Sequence, residues 1–249
     1  MTTGITGSSG FIGCNLFRRV DAKPIKHHDI AIYRRYGCDR LFFLSTYGNM
    51  AHHHDYQEML NANVADLFYI LSTFRGWMCY MSSSSVTLPV QTPYSRFKRA
   101  GEEIVLGFPE IEPCVVRPYS VTGVGEQGEH LIPTLIRSCM EGEEMPFDPM
   151  PTHDFVDVDD VVYGLIELAK ERVVGIHEFG NGIPYSNQAV LELVEQATGK
   201  KANVKHATSL RSYDNTAWYC RNPSKLFNPK KTLVQSISEM VEAYSRDQA

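Results

Sequence analysis

The chain is 249 residues long, 43% hydrophobic and 21% charged, the usage of an ordinary globular protein. That excludes a disordered tail, a collagen and a disulfide miniprotein, and it allows one large domain or a main domain with a smaller lobe. Net charge is −5, from 24 basic and 29 acidic residues with histidine neutral, so nothing draws the chain toward nucleic acid or anionic lipid.

Apolar runs alternate with helical periodicity along the chain, the pattern of a parallel sheet with crossover helices. Strands are expected at 4–6, 40–45, 77–81 and 114–116, and helices at 11–20, 56–74 and 95–106. After Pro118, glycine, proline and acidic residues become frequent through Pro151. A helix is expected at 159–170, a last sheet strand at 177–179, and helices at 186–198 and 232–244. Six cysteines (Cys14, Cys38, Cys79, Cys114, Cys139 and Cys220) sit singly, with no CxxC. Such spacing reads as reduced intracellular thiols. No signal-peptide pattern and no window of ~20 apolar residues is visible. The expectation is a soluble, cytoplasmic protein without a membrane segment.

Thr6-Gly7-Ser8-Ser9-Gly10-Phe11-Ile12-Gly13 follows the first strand and opens a helix. Gly7 can turn tightly, Gly10 lets backbone approach a pyrophosphate, and Gly13 lets helix and strand pack closely. This points to a dinucleotide cradle. The acid expected about 20 residues further on, to hold a ribose, has no clear candidate. Tyr94 and Lys98 lie four residues apart, on one face of a helix. A lysine beside a tyrosine favours the phenolate, so the Tyr94 pKa is expected to fall toward working pH. Four consecutive hydroxyls, Ser82 to Ser85, end the preceding apolar strand, and one of them could polarise the oxygen that Tyr94 serves. His52-His53-His54 lacks flanking ligands at metal spacing, and no metal is expected.

Together these residues resemble the extended short-chain dehydrogenase/reductases, the NAD-dependent epimerase/dehydratase family acting on nucleotide sugars. Thr6 to Gly13 resembles TGxxGxxG, and Asp39 to Ser45 resembles D-x-V-x-H-L-A, with Phe43 for His and Ser45 for Ala. Asn63-Val64 resembles the N-V of a long helix. Counting back from Val86 puts the family's catalytic hydroxyl on Ser83, and Tyr94 with Lys98 matches YxxxK. Arg117 to Gly123 resembles R-P-x-N-x-Y-G, and His153 to Asp160 resembles R-D-F-x-x-V-x-D. Arg211 and Asp214, followed by Ser224-Lys225, resemble R-x-x-D … S-K.

The resemblance implies an α/β fold, a Rossmann-like doubly wound parallel sheet with a small C-terminal substrate-binding lobe. The dinucleotide-binding domain would be 1–117, with the chain returning at about 153–182, and the lobe would be 118–152 and 183–249. Ser83, Tyr94 and Lys98 would be catalytic. Cofactor contacts would come from Gly7, Ser9, Gly10, Phe11, Ile12, Gly13, Asp29, Ile30, Leu44, Ser45, Thr46, Tyr94, Lys98 and Pro118. Substrate contacts would come from Ser84, Ser120, His130, His153, Arg211 and Asp214. The cofactor would be NAD, with NADP left open, the substrate a nucleotide-diphosphate sugar, and the assembly a homodimer through a helix bundle.

Two departures stand out. The span from Gly13 to Asp39 is about half the family's usual length. With Lys26 to Ile30 read as the segment that carries an adenine-contacting pair, the second strand and its helix are expected to be largely missing, with the ribose acid. Ser84 and Ser85 also stand where the family's dehydratases carry Asp-Glu, and neither can act as a carboxylic acid. What remains is reversible oxidation at a sugar carbon: a 4-epimerase or a 4-ketosugar reductase. The alternatives are a non-catalytic dinucleotide-binding sensor or scaffold, and a dehydratase with acids relocated to Glu102 or Glu126.

Overall fold

The computed structural model describes residues 2–26, 37–49, 53–208 and 218–248. In chain order its elements are β1 (Thr3–Thr6), α1 (Phe11–Phe17), β2 (Ala22–Ile25), β3 (Arg40–Phe43), α2 (Tyr56–Leu60), α3 (Asp66–Leu71), β4 (Gly76–Met81), α4 (Pro93–Leu106), β5 (Ile111–Pro118) and β6 (Ser120–Thr122). The chain continues with α5 (Leu131–Glu141), β7 (Met145–Phe147), β8 (Thr152–Asp157), α6 (Val158–Lys170), β9 (Gly175–Phe179), β10 (Pro184–Ser186), α7 (Asn187–Thr198), β11 (Val204–His206) and α8 (Leu233–Asp247). It divides into two units: Met1–Pro118 with Val162–Phe179 and Ser224–Leu226, and Tyr119–Val161 with Gly180–Pro223 and Phe227–Ala249.

The first unit holds a six-stranded sheet in the order β2-β1-β3-β4-β5-β9, every pairing parallel. It is the parallel α/β sheet that the alternating pattern predicts. β4 reads Gly-Trp-Met-Cys-Tyr-Met, and from Trp77 to Met81 every residue is buried. A strand covered on both faces has no reason to alternate. Leu67, Ile70 and Leu71 of α3 pack with Leu41, Phe43, Met78, Tyr80 and Val115 in the core. α4 starts sharply because Thr92 accepts the Ser95 N–H at 3.2 Å and Pro93 comes next, a side-chain cap with proline at the first helical position.

The second unit has a three-stranded sheet, β10-β8-β6, and a two-stranded one, β11-β7. Its core gathers Ile132, Leu135 and Ile136 of α5, Val190 and Val194 of α7, and Leu233, Ile237 and Met240 of α8. Buried Asp154 organises its backbone by accepting the N–H groups of Asn181, Gly182 and Cys220 at 3.0, 2.8 and 3.0 Å. Among the described residues, no helix is long and apolar enough to cross a membrane.

Three sequence expectations need correction. The second strand is present: β2 pairs with β1 from Thr3↔Ala22 to Thr6↔Ile25. It carries Pro24 and still joins the sheet because it is an edge strand, where one side needs no N–H donor. The residue directly after β2 is Lys26, not a ribose-binding acid. The first helix ends at Phe17 rather than Val20.

The helix expected across 56–74 is also not continuous. It breaks into α2, a π-helical turn at Asn61–Ala65 and α3, and it stops at Leu71. The physical reason is Asn63, whose amide donates to the Met59 carbonyl, four residues back, at 2.8 Å. A side chain that takes that carbonyl displaces the ordinary backbone bond and widens the turn.

Candidate active site

Strand order reverses between β1 and β3, because β2 lies to one side of β1 and β3 to the other. In open parallel sheets the crevice beyond the carboxyl ends of the strands at such a reversal is where ligands sit. Here the ends of β1 and β3 are tied together: the Thr6 hydroxyl accepts the N–H groups of Leu44 and Ser45 at 3.1 and 3.2 Å. Gly7 comes next with φ +67°, and a Cβ there would lie 2.8 Å from the Leu44 and Ser45 backbone. Only glycine fits this position. The Gly10 N–H donates to the Gly7 carbonyl at 3.0 Å and closes the turn.

Gly13 and Gly10 do different work. A Cβ on Gly13 would come within 2.0 Å of the Gly7 oxygen, so bare backbone is required for α1 to pack on the turn. A Cβ on Gly10 would meet only that same oxygen, at 3.4 Å, so the space over Gly10 is open. That opening suits a phosphate that approaches the backbone, as a dinucleotide cradle requires. Ser9 is exposed beside it, and Phe11 and Ile12 are half-buried at the start of α1.

The proton-transfer candidates converge where β3 and β4 end. Ser83 caps the short 3₁₀ turn after β4, its hydroxyl accepting the Ser85 N–H at 3.2 Å. Tyr94 stands in the first turn of α4, where Thr46 and Ser83 favour its phenolate. Lys98 is 1% exposed. Its ammonium donates to the Met81 carbonyl at 2.9 Å and lies 5.1 Å from the Tyr80 ring centroid and 6.0 Å from that of Tyr94. Burial lowers the Lys98 pKa from 10.5 to about 7, opposed by the charge of Glu102 one turn on.

The expectation for Tyr94 is overturned. Its pKa is raised, not lowered: burial dominates, and only the Thr46 and Ser83 hydrogen bonds oppose it. The i, i+4 spacing does put Lys98 near Tyr94, but the ammonium turns to a backbone carbonyl on β4. The groups that favour the phenolate here are hydroxyls.

Sequence reasoning missed two supports of this site. Asn63 is fully buried and holds the loop after β3, accepting the Thr46 hydroxyl at 2.8 Å and donating to the Tyr47 carbonyl at 2.7 Å. Glu102, 2% exposed, is gripped by Arg117 through two bonds of 2.8 and 2.6 Å. The spacing of Glu102, four residues after Lys98, was a readable signal for the pair on α4. Nothing in sequence pointed to Asn63 as a brace. The Ser82 and Ser84 hydroxyls are buried and find no partner among the described residues.

Leu44 is buried and Ser45 half-buried just beyond β3, and buried Pro118 ends β5. In the second unit, Ser120 opens β6. His130 stands at the start of α5 with Nδ1 2.9 Å from Glu126, and Glu126 also accepts the Thr122 hydroxyl at 2.7 Å. His153, on β8, meets the rings of Phe155 and Trp218 edge-on at 5.8 and 6.4 Å. Asp29, Ile30, Arg211 and Asp214 lie outside the described residues.

Residues 56–178 match the NAD dependent epimerase/dehydratase family. Among solved structures, MoeE5 in complex with UDP-glucose and NAD superposes with a TM-score of 0.90 at 20% identity, covering 100% of both chains. UDP-glucose 4-epimerase from Thermotoga maritima, with UDP-glucose, gives 0.89 at 16% identity, again over 100% of both. A dTDP-glucose 4,6-dehydratase from Bacillus anthracis, in complex with NAD, gives 0.83 at 17%, covering 100% of this chain and 97% of that one. At such identities the likeness is one of fold. No curated protein sequence matches the chain.

Proposed function

We propose that this chain, whose residues 56–178 match the NAD dependent epimerase/dehydratase family, is a member of the extended short-chain dehydrogenase/reductases and an NAD(H)-dependent nucleotide-sugar 4-epimerase or 4-ketosugar reductase. The observation that carries the reading is the convergence of Ser83, Tyr94 and Lys98 at the carboxyl ends of β3 and β4. The open backbone over Gly10 supports a dinucleotide beside them, and similar folds hold UDP-glucose with NAD.

When bound, the nicotinamide would supply a site that accepts and returns hydride. The chain's own residues would handle the proton. Tyr94, in its phenolate form, would take the proton of the sugar C4 hydroxyl as that carbon is oxidised, becoming the phenol, and would return it on reduction. Ser83 donates a hydrogen bond to the same oxygen and polarises the carbonyl of the ketone. Lys98, held by the Met81 carbonyl, adds positive charge beneath the site. Reduction on the opposite face gives the 4-epimer, and that outcome is favoured over net reduction.

Dehydration is disfavoured. Ser84 and Ser85 offer hydroxyls where an acid and a base are needed, and the carboxylate of Glu102 is engaged on both oxygens by Arg117. Substrate contacts are proposed for Ser84, Ser120, His130, His153, Arg211 and Asp214. A homodimer is proposed through the α2–α3 face, where Tyr56, Leu60, Phe68 and Tyr69 are exposed, an apolar stripe that a second copy would cover. Incubation with UDP- and GDP-hexoses and NAD, followed by NMR of the sugars, tests the activity. Interconversion of 4-epimers is expected, and full turnover by Tyr94→Phe would sink the assigned role.

A further inference from the structure

We propose that Gln91 is a positioning residue for the Ser83 hydroxyl: its side-chain amide clamps the turn that aims that hydroxyl and ties the turn to the start of α4. The consequence for turnover rests on the functional reading above; the clamp does not.

The turn needs an outside partner. Residues Ser84–Thr87 form one short 3₁₀ turn after β4. Inside it, the Val86 N–H donates to the Ser83 carbonyl and the Leu88 N–H to the Ser85 carbonyl, both at 3.2 Å. The last carbonyls of a helical turn find no partner within it. Here the ladder cannot continue, because Pro89 comes next and has no N–H to give. Gln91 fills the gap. Its Nε2 donates to the Leu88 carbonyl and also reaches the carbonyls of Val86 at 3.3 Å and Ser85 at 3.4 Å. The Arg99 guanidinium, from α4, donates to the Val86 carbonyl as well. Flipping the Gln91 amide would press its oxygen against three carbonyl oxygens, so the network fixes the nitrogen toward the turn.

The turn in its place aims Ser83. The Ser83 hydroxyl caps it by accepting the Ser85 N–H at 3.2 Å. An oxygen that accepts on one side gives its single proton on another. The Ser85 N–H therefore decides where the Ser83 O–H points, and the Ser85 carbonyl is one of the three that Gln91 holds. The hydroxyls of Ser82, Ser84 and Ser85 have no such orienting bond among the described residues. Gln91 also stands three residues before Tyr94 and directly before Thr92, the cap of α4. One amide thus joins the segment that carries Ser83 to the helix start that carries Tyr94, and it keeps the spacing of the two hydroxyls that the functional reading brings to one substrate oxygen.

The test uses the full chain. Gln91→Met keeps the length and removes the donors. Hydrogen exchange of the Ser85 amide, followed by NMR, should quicken about tenfold, as the loss of roughly one net hydrogen bond implies. Arg99→Met, at an exposed position, removes the other grip and should quicken it by a smaller factor. Where 4-epimerisation is measurable, Gln91→Met should lower kcat about tenfold by misplacing Ser83, with KM for the sugar nucleotide unchanged. On a Ser83→Ala background the same substitution should cost nothing further, whereas a merely structural loss would persist there. A Ser85 amide that exchanges at the wild-type rate in both variants overturns the clamp, whatever the turnover. Losses that multiply in the Ser83→Ala, Gln91→Met double variant overturn the positioning role. A wild-type chain that turns over no sugar overturns the functional reading and leaves the exchange to decide the clamp.

Discussion

Lys98 buries a charge, and its removal should stabilise the fold. Replacing it with methionine keeps length and volume and deletes the ammonium. With its pKa taken from 10.5 to about 7 by burial, the folded protein holds the Lys98 proton more weakly than the unfolded chain does. The unfolded state therefore binds more protons between about 7 and 10.5, and stability rises with pH across that window. Below about 7 the whole penalty is present, ~1.4 kcal/mol for each pH unit of the gap, or about 5 kcal/mol. Against this, the substitution strands the Met81 carbonyl that Lys98 serves at 2.9 Å, which costs about 2 kcal/mol. Lys98→Met should thus be about 3 kcal/mol more stable than wild type at pH 6. The gain should shrink by ~2.7 kcal/mol at pH 9, two units into the window. Urea unfolding of both proteins at the two pH values measures the difference, and the variant should be inactive throughout. An advantage equal at pH 6 and pH 9 would refute the reasoning, since a lysine of ordinary basicity gives no pH-dependent difference in this range.

Glu102→Gln breaks a buried ion pair and should cost about 3 kcal/mol, the low end for such a loss, because Arg117 keeps Glu178 at 3.8 Å; urea unfolding at pH 7 showing a loss under ~0.5 kcal/mol would contradict the buried pairing. Gly10→Ala and Gly13→Ala separate ligand approach from packing. A methyl on Gly10 meets nothing closer than 3.4 Å, so stability should hold while calorimetry shows NAD binding weakened at least tenfold. A methyl on Gly13 lies 2.0 Å from the Gly7 carbonyl and should destabilise the fold by about 2 kcal/mol or more. Asp154→Ala leaves three backbone N–H groups without their acceptor and should lower stability by about 3 kcal/mol, read as an earlier thermal transition.

Much of the first unit was legible because its signals are local. The all-apolar run of β4, the cap and proline that open α4, and the glycines after β1 each state their structure within a few residues. Tyr94 and Lys98 share a helix face by spacing alone. Three features were not legible. β2, with its Lys-Pro centre, has no strand pattern of its own and becomes a strand by pairing with β1. The break between α2 and α3 depends on the buried Asn63 amide taking the Met59 carbonyl four residues back, which the helical spacing of 56–74 does not announce. The direction of the Tyr94 shift depends on burial of the phenol, which outweighs the opposing effects of Thr46 and Ser83 from other elements.

By itself, then, the order of residues determined the alternation of strands and helices and the glycine turn, since periodicity, capping and positive φ are properties of short segments. The tertiary structure alone decided the solvation and hydrogen-bond partners of Tyr94, Lys98 and Asn63. Those depend on desolvation and on groups brought together from β3, β4 and α4, and both vary with three-dimensional distance rather than with position along the chain.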